Sequence, residues 1–240
     1  MSVRIEVLGS VNCPHLADTA RTVTEIAHSL VPEAVVETRL VANEAEARAL
    51  SLPGSPTVRV NGRDIAAQAA GCAPSLACRS YEGQAVPSEW LIEAAIVRAL
   101  RPRHLLFLCV ANSARSQMAE GIARASAPAG VQVSSAGSAP SKVRPQAIQV
   151  LKEIGIDISA HTSKAVSAID SKSVEAVFTL CSEEECPLFL GKALRLHWGL
   201  PDPAGVKGSE EEQLNAFRAA RDELRRRIDV LFADWQSTQT

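Results

Sequence analysis

The sequence lacks any continuous apolar stretch long enough to span a bilayer. Its first residues, Met1 to Ser10, alternate apolar and polar side chains instead of forming the apolar core of a secretory leader. It also lacks a charge excess of either sign. With 25 Lys and Arg against 27 Asp and Glu, the formal charge is −2, and no basic run breaks the balance. Nucleic acid and anionic membrane surfaces are therefore not expected partners. Internal repeats and low-complexity segments are missing too. A content of 46% hydrophobic and 22% charged residues fits a soluble globular protein, here expected in the cytoplasm. The length of 240 residues calls for two domains, and Arg101-Pro102-Arg103 is the natural boundary, giving 1–101 and 102–240. Six cysteines stand at 13, 72, 78, 109, 181 and 186. In a reducing compartment they are expected to be catalytic, redox-active or metal-binding rather than structural staples.

The most informative stretch is Leu105 to Glu120. Leu105 to Val110 has the length and branching of a buried strand, and a helix is expected from Gln117 onward. Between them lies a loop that begins with Cys109 and ends with Arg115. Successive N–H groups in such a loop, together with the start of the following helix, make a nest for an oxyanion: Val110, Ala111, Asn112, Ser113, Ala114 and Arg115 are the expected lining. Arg115 offers a planar fork for two anion oxygens, and the positive field favours a thiolate on Cys109. Ser116 is placed to donate to that thiolate, and Asn112 to pin the loop.

Along the first domain, strands are expected at Val3 to Leu8 and Val35 to Val41, and a helix at Thr19 to Leu30. Asn43 caps a short helix through Leu50. Pro56 to Val60, Asn61-Gly62 and Arg63 to Ala66 read as a hairpin, and Pro87 to Leu100 as a helix. This order resembles the thioredoxin and glutaredoxin fold. Cys13-Pro14-His15 stands at a strand-to-helix turn, and Gly54-Ser55-Pro56-Thr57 resembles the cis-proline segment of that family. Leu16 replaces its second active-site cysteine. Cys13, Cys72 and Cys78 are the redox candidates here, the last two as possible partners of the first. Cys78-Arg79-Ser80-Tyr81 is similar to small thioredoxin-like proteins of metal and metalloid resistance. The alternative is a docking or oligomerisation module without redox chemistry.

In the second domain, Val131 to Ser134 is expected as a strand and Ser135-Ala136-Gly137-Ser138 as a turn. Pro145 to Ile154 reads as a helix closed by Gly155. Val174 to Leu180 and Ala193 to Leu196 read as strands, and Ser209 with Glu212 as the capping box of a long final helix. The expectation is an α/β fold with a parallel sheet in three layers, and ligands outside the carboxyl ends of its strands.

Residues 104 to 235 resemble the low-molecular-weight tyrosine phosphatase fold, and within it the arsenate reductase branch that draws electrons from thioredoxin. The resemblance rests on Cys109 to Glu120, Ser134 to Ser138, Thr179-Leu180-Cys181 with Cys186-Pro187, and His197-Trp198 with Asp202-Pro203-Ala204. It implies Cys109 as nucleophile on arsenate, Arg115 as oxyanion clamp, Ser116 as thiolate partner and Asp202 as proton donor to the leaving oxygen. Cys181 and Cys186 would complete a disulfide relay.

A plain phosphatase is the rival, because phosphate and arsenate share shape and charge. Ala204, standing where a phosphatase has an aromatic wall, and Ala114, in place of a second loop cysteine, both favour reduction. No bound cofactor or metal is expected, only thioredoxin, a glutaredoxin-type protein or another dithiol as donor, including the chain's own first domain. Asn112, Glu120 and Ser135 match positions that hold potassium in some relatives, but the acidic residue expected near Lys164 is missing. If Ser182 to Cys186 were helical, the two cysteines would stand about 7.5 Å apart along the axis, so the segment from 181 to 190 is expected to unwind on oxidation.

Overall fold

The computed structural model describes residues 3–66, 73–182, 189 and 191–235. Cys72, Cys186 and most of the segment expected to unwind lie outside the described residues. The chain divides into two compact units, Met1–Arg101 and Pro102–Thr240.

The first unit runs β1 (Arg4–Ser10), α1 (Leu16–Leu30), β2 (Val35–Val41), α2 (Glu44–Ala49), β3 (Thr57–Val60), β4 (Arg63–Asp64) and α3 (Glu89–Leu100). Its sheet has the order β2-β1-β3-β4. β1 and β2 are parallel, whereas β1 with β3 and β3 with β4 are antiparallel. Asn61 and Gly62 take φ of 49° and 78°, as a two-residue primed hairpin turn requires. β4 stops at Asp64, short of the Ala66 expected. The Asp64 carboxylate accepts from the Ala66 N–H at 2.9 Å and binds Arg79, which turns the chain out of the ladder. α1 begins three residues before the expected Thr19 and buries Leu16, Val23, Ala27 and Leu30 along one stripe. The peptide between Ser55 and Pro56 is cis.

The second unit runs β5 (His104–Cys109), α4 (Arg115–Ser126), β6 (Gln132–Gly137), α5 (Pro145–Lys152), β7 (Ala176–Cys181), β8 (Leu194–Leu200) and α6 (Glu210–Phe232). All strand pairs are parallel in the order β6-β5-β7-β8. The first connection from β5 goes to one side and the next crosses to the other, so the sheet reverses direction at β5. That is where an open α/β sheet leaves a crevice beyond its strand ends. Cys109 is the last residue of β5.

Strand and helix ends shift by one or two residues in several places, and three differences bear on the site. Ser135 to Gly137 belong to β6, not to a turn, because β6 stays in register with β5 as far as the pair Cys109–Gly137. Ladder pairing here overrides local turn preference. β8 continues past Leu196 through His197 and Trp198 to Leu200. The fully buried Trp198 packs on Phe178 with ring centroids 4.5 Å apart, and Phe178 stacks on Phe107 at 5.1 Å. Each such ring contributes about 1.5–3 kcal/mol through burial, which favours a longer strand. α4 begins at Arg115, so Arg115 and Ser116 are its first turn and not loop.

Leu106, Leu108, Ala136, Val174, Val177 and Phe189 form a second cluster, with Val166, Ile169 and Ala193 packed on it. Alternation along β5 sends Leu106 and Leu108 to the face opposite Phe107. α6 opens with the complete Ser209–Glu212 capping box and buries Leu214, Phe217, Leu224, Ile228 and Leu231.

Candidate active site

The loop from Cys109 to Arg115 is held by its carbonyls. Val110 O accepts from the Ala139 N–H at 3.0 Å, Ala111 O from Ser141 at 3.0 Å and Ser113 O from Arg144 at 2.9 Å. Asn112 O accepts from the Ser163 hydroxyl at 2.6 Å. A planar peptide points its N–H opposite to its C=O. Four carbonyls tied to outer segments therefore turn the N–H groups of residues 111 to 114 toward the inside of the loop, at the positive start of α4. This is the geometry of an anion nest.

Asn112 organises the loop. It sits at φ 44°, a left-handed conformation that asparagine tolerates better than most residues. Its Oδ1 accepts from Gln117 Nε2 at 3.0 Å and the Lys164 N–H at 2.7 Å. Its Nδ2 donates to Ser116 Oγ and Ser135 Oγ, both at 2.8 Å. Every donor and acceptor of the buried amide is thereby used.

The consequence reaches the thiol. Ser116 Oγ lies 2.9 Å from Cys109 Sγ. Because this hydroxyl accepts from Asn112, its own hydrogen is free to point at the sulfur. Ser135 passes its hydrogen on to the Glu120 carboxylate. Glu120 is fully buried, with Arg124 Nη2 at 2.6 Å and Lys164 Nζ at 3.1 Å. The ammonium of Lys164 thus stands beside the Asn112–Glu120–Ser135 group. Behind Gln117, His161 Nδ1 lies 3.0 Å from its Oε1, so the ring hydrogen sits on Nδ1. Burial holds His161 below the usual histidine range, against the upward pull of Glu120.

Arg115 is buried and aimed at the ends of β7 and β8. Its Nη1 donates to Leu200 O at 2.9 Å and to Leu180 O at 3.4 Å, and Nη2 stands 3.5 Å from Asp202 Oδ1. Asp202 is part-exposed and accepts from the Ala204 N–H at 3.3 Å. A guanidinium and a carboxyl group are thus joined at the rim of the loop. Cys181 ends β7, the strand beside β5, and is buried. His197 is bound through Nδ1 to Thr179 Oγ1 at 2.9 Å, and Trp198 is a core residue.

The structure therefore gathers Cys109, Asn112, Arg115, Ser116 and Asp202 around one loop and sets Cys181 at the end of the neighbouring strand. Cys13 is half-buried and Cys78 exposed in the first unit. Sequence reasoning did not single out Gln117, His161, Ser163 or Gly137. A Cβ on Gly137 would come within 2.3 Å of Val110 O, 2.8 Å of Asn112 N and 2.9 Å of Cys109 O. The loop backbone rests directly on this glycine, whose local sequence, Ser135-Ala136-Gly137-Ser138, reads as a turn and gives no sign of that role.

The pattern of the family described as low molecular weight phosphotyrosine protein phosphatase matches residues 104–239. An arsenate reductase of Halalkalibacterium halodurans is 41% identical over 126 residues, covering 52% of this chain and 91% of that protein. An arsenate reductase of Bacillus subtilis is 40% identical over 126 residues, with the same coverage of 52% and 91%. A solved arsenate reductase in the phosphate-binding state is 33% identical and covers 55% of this chain and 98% of its own, with a TM-score of 0.48.

Proposed function

The chain belongs to the low molecular weight phosphotyrosine protein phosphatase family, and from that premise we propose that it is an arsenate reductase. About 40% identity to arsenate reductases along nine-tenths of their length carries this reading. The chemistry of the site agrees with it. Arsenate enters the nest of residues 110 to 115 with two oxygens on Arg115, and the Cys109 thiolate attacks arsenic. Asp202 gives a proton to the departing oxygen, which leaves as water, and a Cys109–arsenate thioester results.

Cys181 then attacks Cys109 Sγ. The S–S bond forms as the S–As bond breaks, and arsenic keeps the electron pair and leaves as arsenite. Cys186 attacks Cys181, frees Cys109 and leaves a Cys181–Cys186 disulfide. A dithiol returns two electrons and two protons to that disulfide. The donor is a thioredoxin or glutaredoxin-type protein, or the first unit of the same chain, which we read as thioredoxin-like. The strand order β2-β1-β3-β4, the cis Ser55–Pro56 peptide and Cys13 just before α1 support that reading.

Hydrolysis of phosphate monoesters is the second reading, since the family and the anion-binding loop also suit phosphate. In it the first unit would be a docking module. Fully reduced protein mixed with excess arsenate separates the two. Release of arsenite with a Cys181–Cys186 disulfide is expected. No arsenite, together with hydrolysis of an aryl phosphate, would establish the phosphatase instead.

A further inference from the structure

Two free cysteines of the first unit, Cys13 and Cys78, lie far apart in sequence but are linked through Ser55. Ser55, just before the cis peptide, is buried, and its backbone is paired on both sides by a single segment of the chain. Its N–H donates to Ala77 O at 2.8 Å and its carbonyl accepts from the Arg79 N–H at 3.0 Å, which makes a parallel bridge to Cys78. Directly bridged residues carry their side chains on the same side of the ladder. The Ser55 hydroxyl therefore shows which way Cys78 faces.

That hydroxyl accepts from the Ser10 N–H at 2.9 Å, at the end of β1. The approach is close enough that a Cβ on Gly9 would stand 2.9 Å from Ser55 Oγ. Ser10 O in turn accepts from the Cys13 N–H at 3.1 Å. Two hydrogen bonds thus connect the Cys13 turn, at the positive end of α1, with the residue that holds Cys78.

Cys78 is fixed in place from the other side. Neighbouring residues in an extended segment point oppositely, and Arg79 goes inward. Its guanidinium meets both oxygens of Asp64 at 2.7 and 2.8 Å, donates to Thr57 Oγ1 at 3.0 Å and lies 4.5 Å from the centre of the Tyr81 ring. The Tyr81 hydroxyl donates to Pro56 O at 3.0 Å. This anchoring holds the segment that carries the exposed Cys78 against Ser55, whose hydroxyl reaches the end of β1 next to the Cys13 turn.

We propose that Cys13 and Cys78 are the working dithiol of the first unit and that they supply the electrons for arsenate reduction. The inference rests on the reductase reading given above. In the transfer the Cys13 thiolate attacks the Cys181–Cys186 disulfide and forms a mixed disulfide, releasing one thiolate. The Cys78 thiolate then attacks Cys13. A Cys13–Cys78 disulfide forms, Cys181 and Cys186 are both reduced, and two electrons have crossed.

The first test needs no arsenate. The full chain with Cys109, Cys181 and Cys186 replaced by serine is equilibrated in glutathione buffers and its disulfides are mapped. A Cys13–Cys78 disulfide is expected, and with Cys78→Ser a glutathione adduct on Cys13. A disulfide involving Cys72 instead, or none, overturns the pairing. The second test counts arsenite from the reduced wild-type chain without external reductant. About two per chain are expected, falling to about one in Cys78→Ser. One per chain in both proteins overturns the donor role while leaving the reductase intact. None in either, with the Cys13–Cys78 disulfide still formed in the first test, removes the reductase reading and with it the donor role.

Discussion

At the scale of the residue, the nucleophile is prepared by the amide that orients its serine. Ser116 and Cys109 are seven positions apart and readable as neighbours once a strand, loop and helix are recognised. The direction of the Ser116 hydrogen is not readable. It depends on Asn112, whose acceptor is filled by Lys164, fifty-two positions away, and by Gln117, and whose second hydrogen goes to Ser135. Long-range partners of this kind leave no local pattern. Asn112→Gly keeps the left-handed backbone at φ 44° and removes all four side-chain hydrogen bonds. The loss of arsenite formation is expected to be about 10²-fold, the size of one preorganised electrostatic contribution, while the far-ultraviolet circular dichroism is unchanged. Activity within a factor of two of wild type would show that the loop amides orient the thiolate without Asn112.

At the scale of the element, apolar runs and caps were enough to recognise most of the helices and strands, because those signals lie within single segments. The capping box of α6 and the Asn61-Gly62 turn are examples. The end of β6 was not legible: Ser-Ala-Gly-Ser reads as a turn in isolation and becomes strand only through pairing with β5. That pairing sets Gly137 under the loop. Gly137→Ala forces its methyl group against three backbone atoms that cannot rotate away. Overpacking against such neighbours costs about 1–3 kcal/mol, and the structure yields by displacing the nest. A lower denaturation midpoint and loss of oxyanion protection against thiol alkylation of Cys109 are expected together. A mutant as stable as wild type, with phosphate still shielding Cys109, would mean that the loop does not rest on β6.

At the scale of the whole molecule, the two units are built to fail at opposite ends of the pH range. In the second unit, burial holds both His104 and His161 below the usual histidine value of 6.5. His104 Nδ1 must carry its hydrogen toward Ser173 Oγ, since that hydroxyl donates to Asp170 O, and Nε2 is left to accept from Ser134. The unfolded chain binds these protons first, so their stabilisation is full above about 6.5 and is lost as the pH falls below it. In the first unit, burial pushes the Tyr81 phenol up from 10.0 to about 12, against the lowering effect of Arg79. Its neutral form is the folded one, so that stabilisation is full below 10 and disappears as the pH rises toward 12. Amide exchange followed by mass spectrometry reports each unit within one chain. Between pH 6.5 and 5, protection is expected to fall first in β5 and β6, and His104→Asn should reduce that fall. Between pH 10 and 12 it should fall first in β3 and β4, and Tyr81→Phe should reduce it. Equal losses in both units at each extreme would mean that the stability of one is not separable from that of the other.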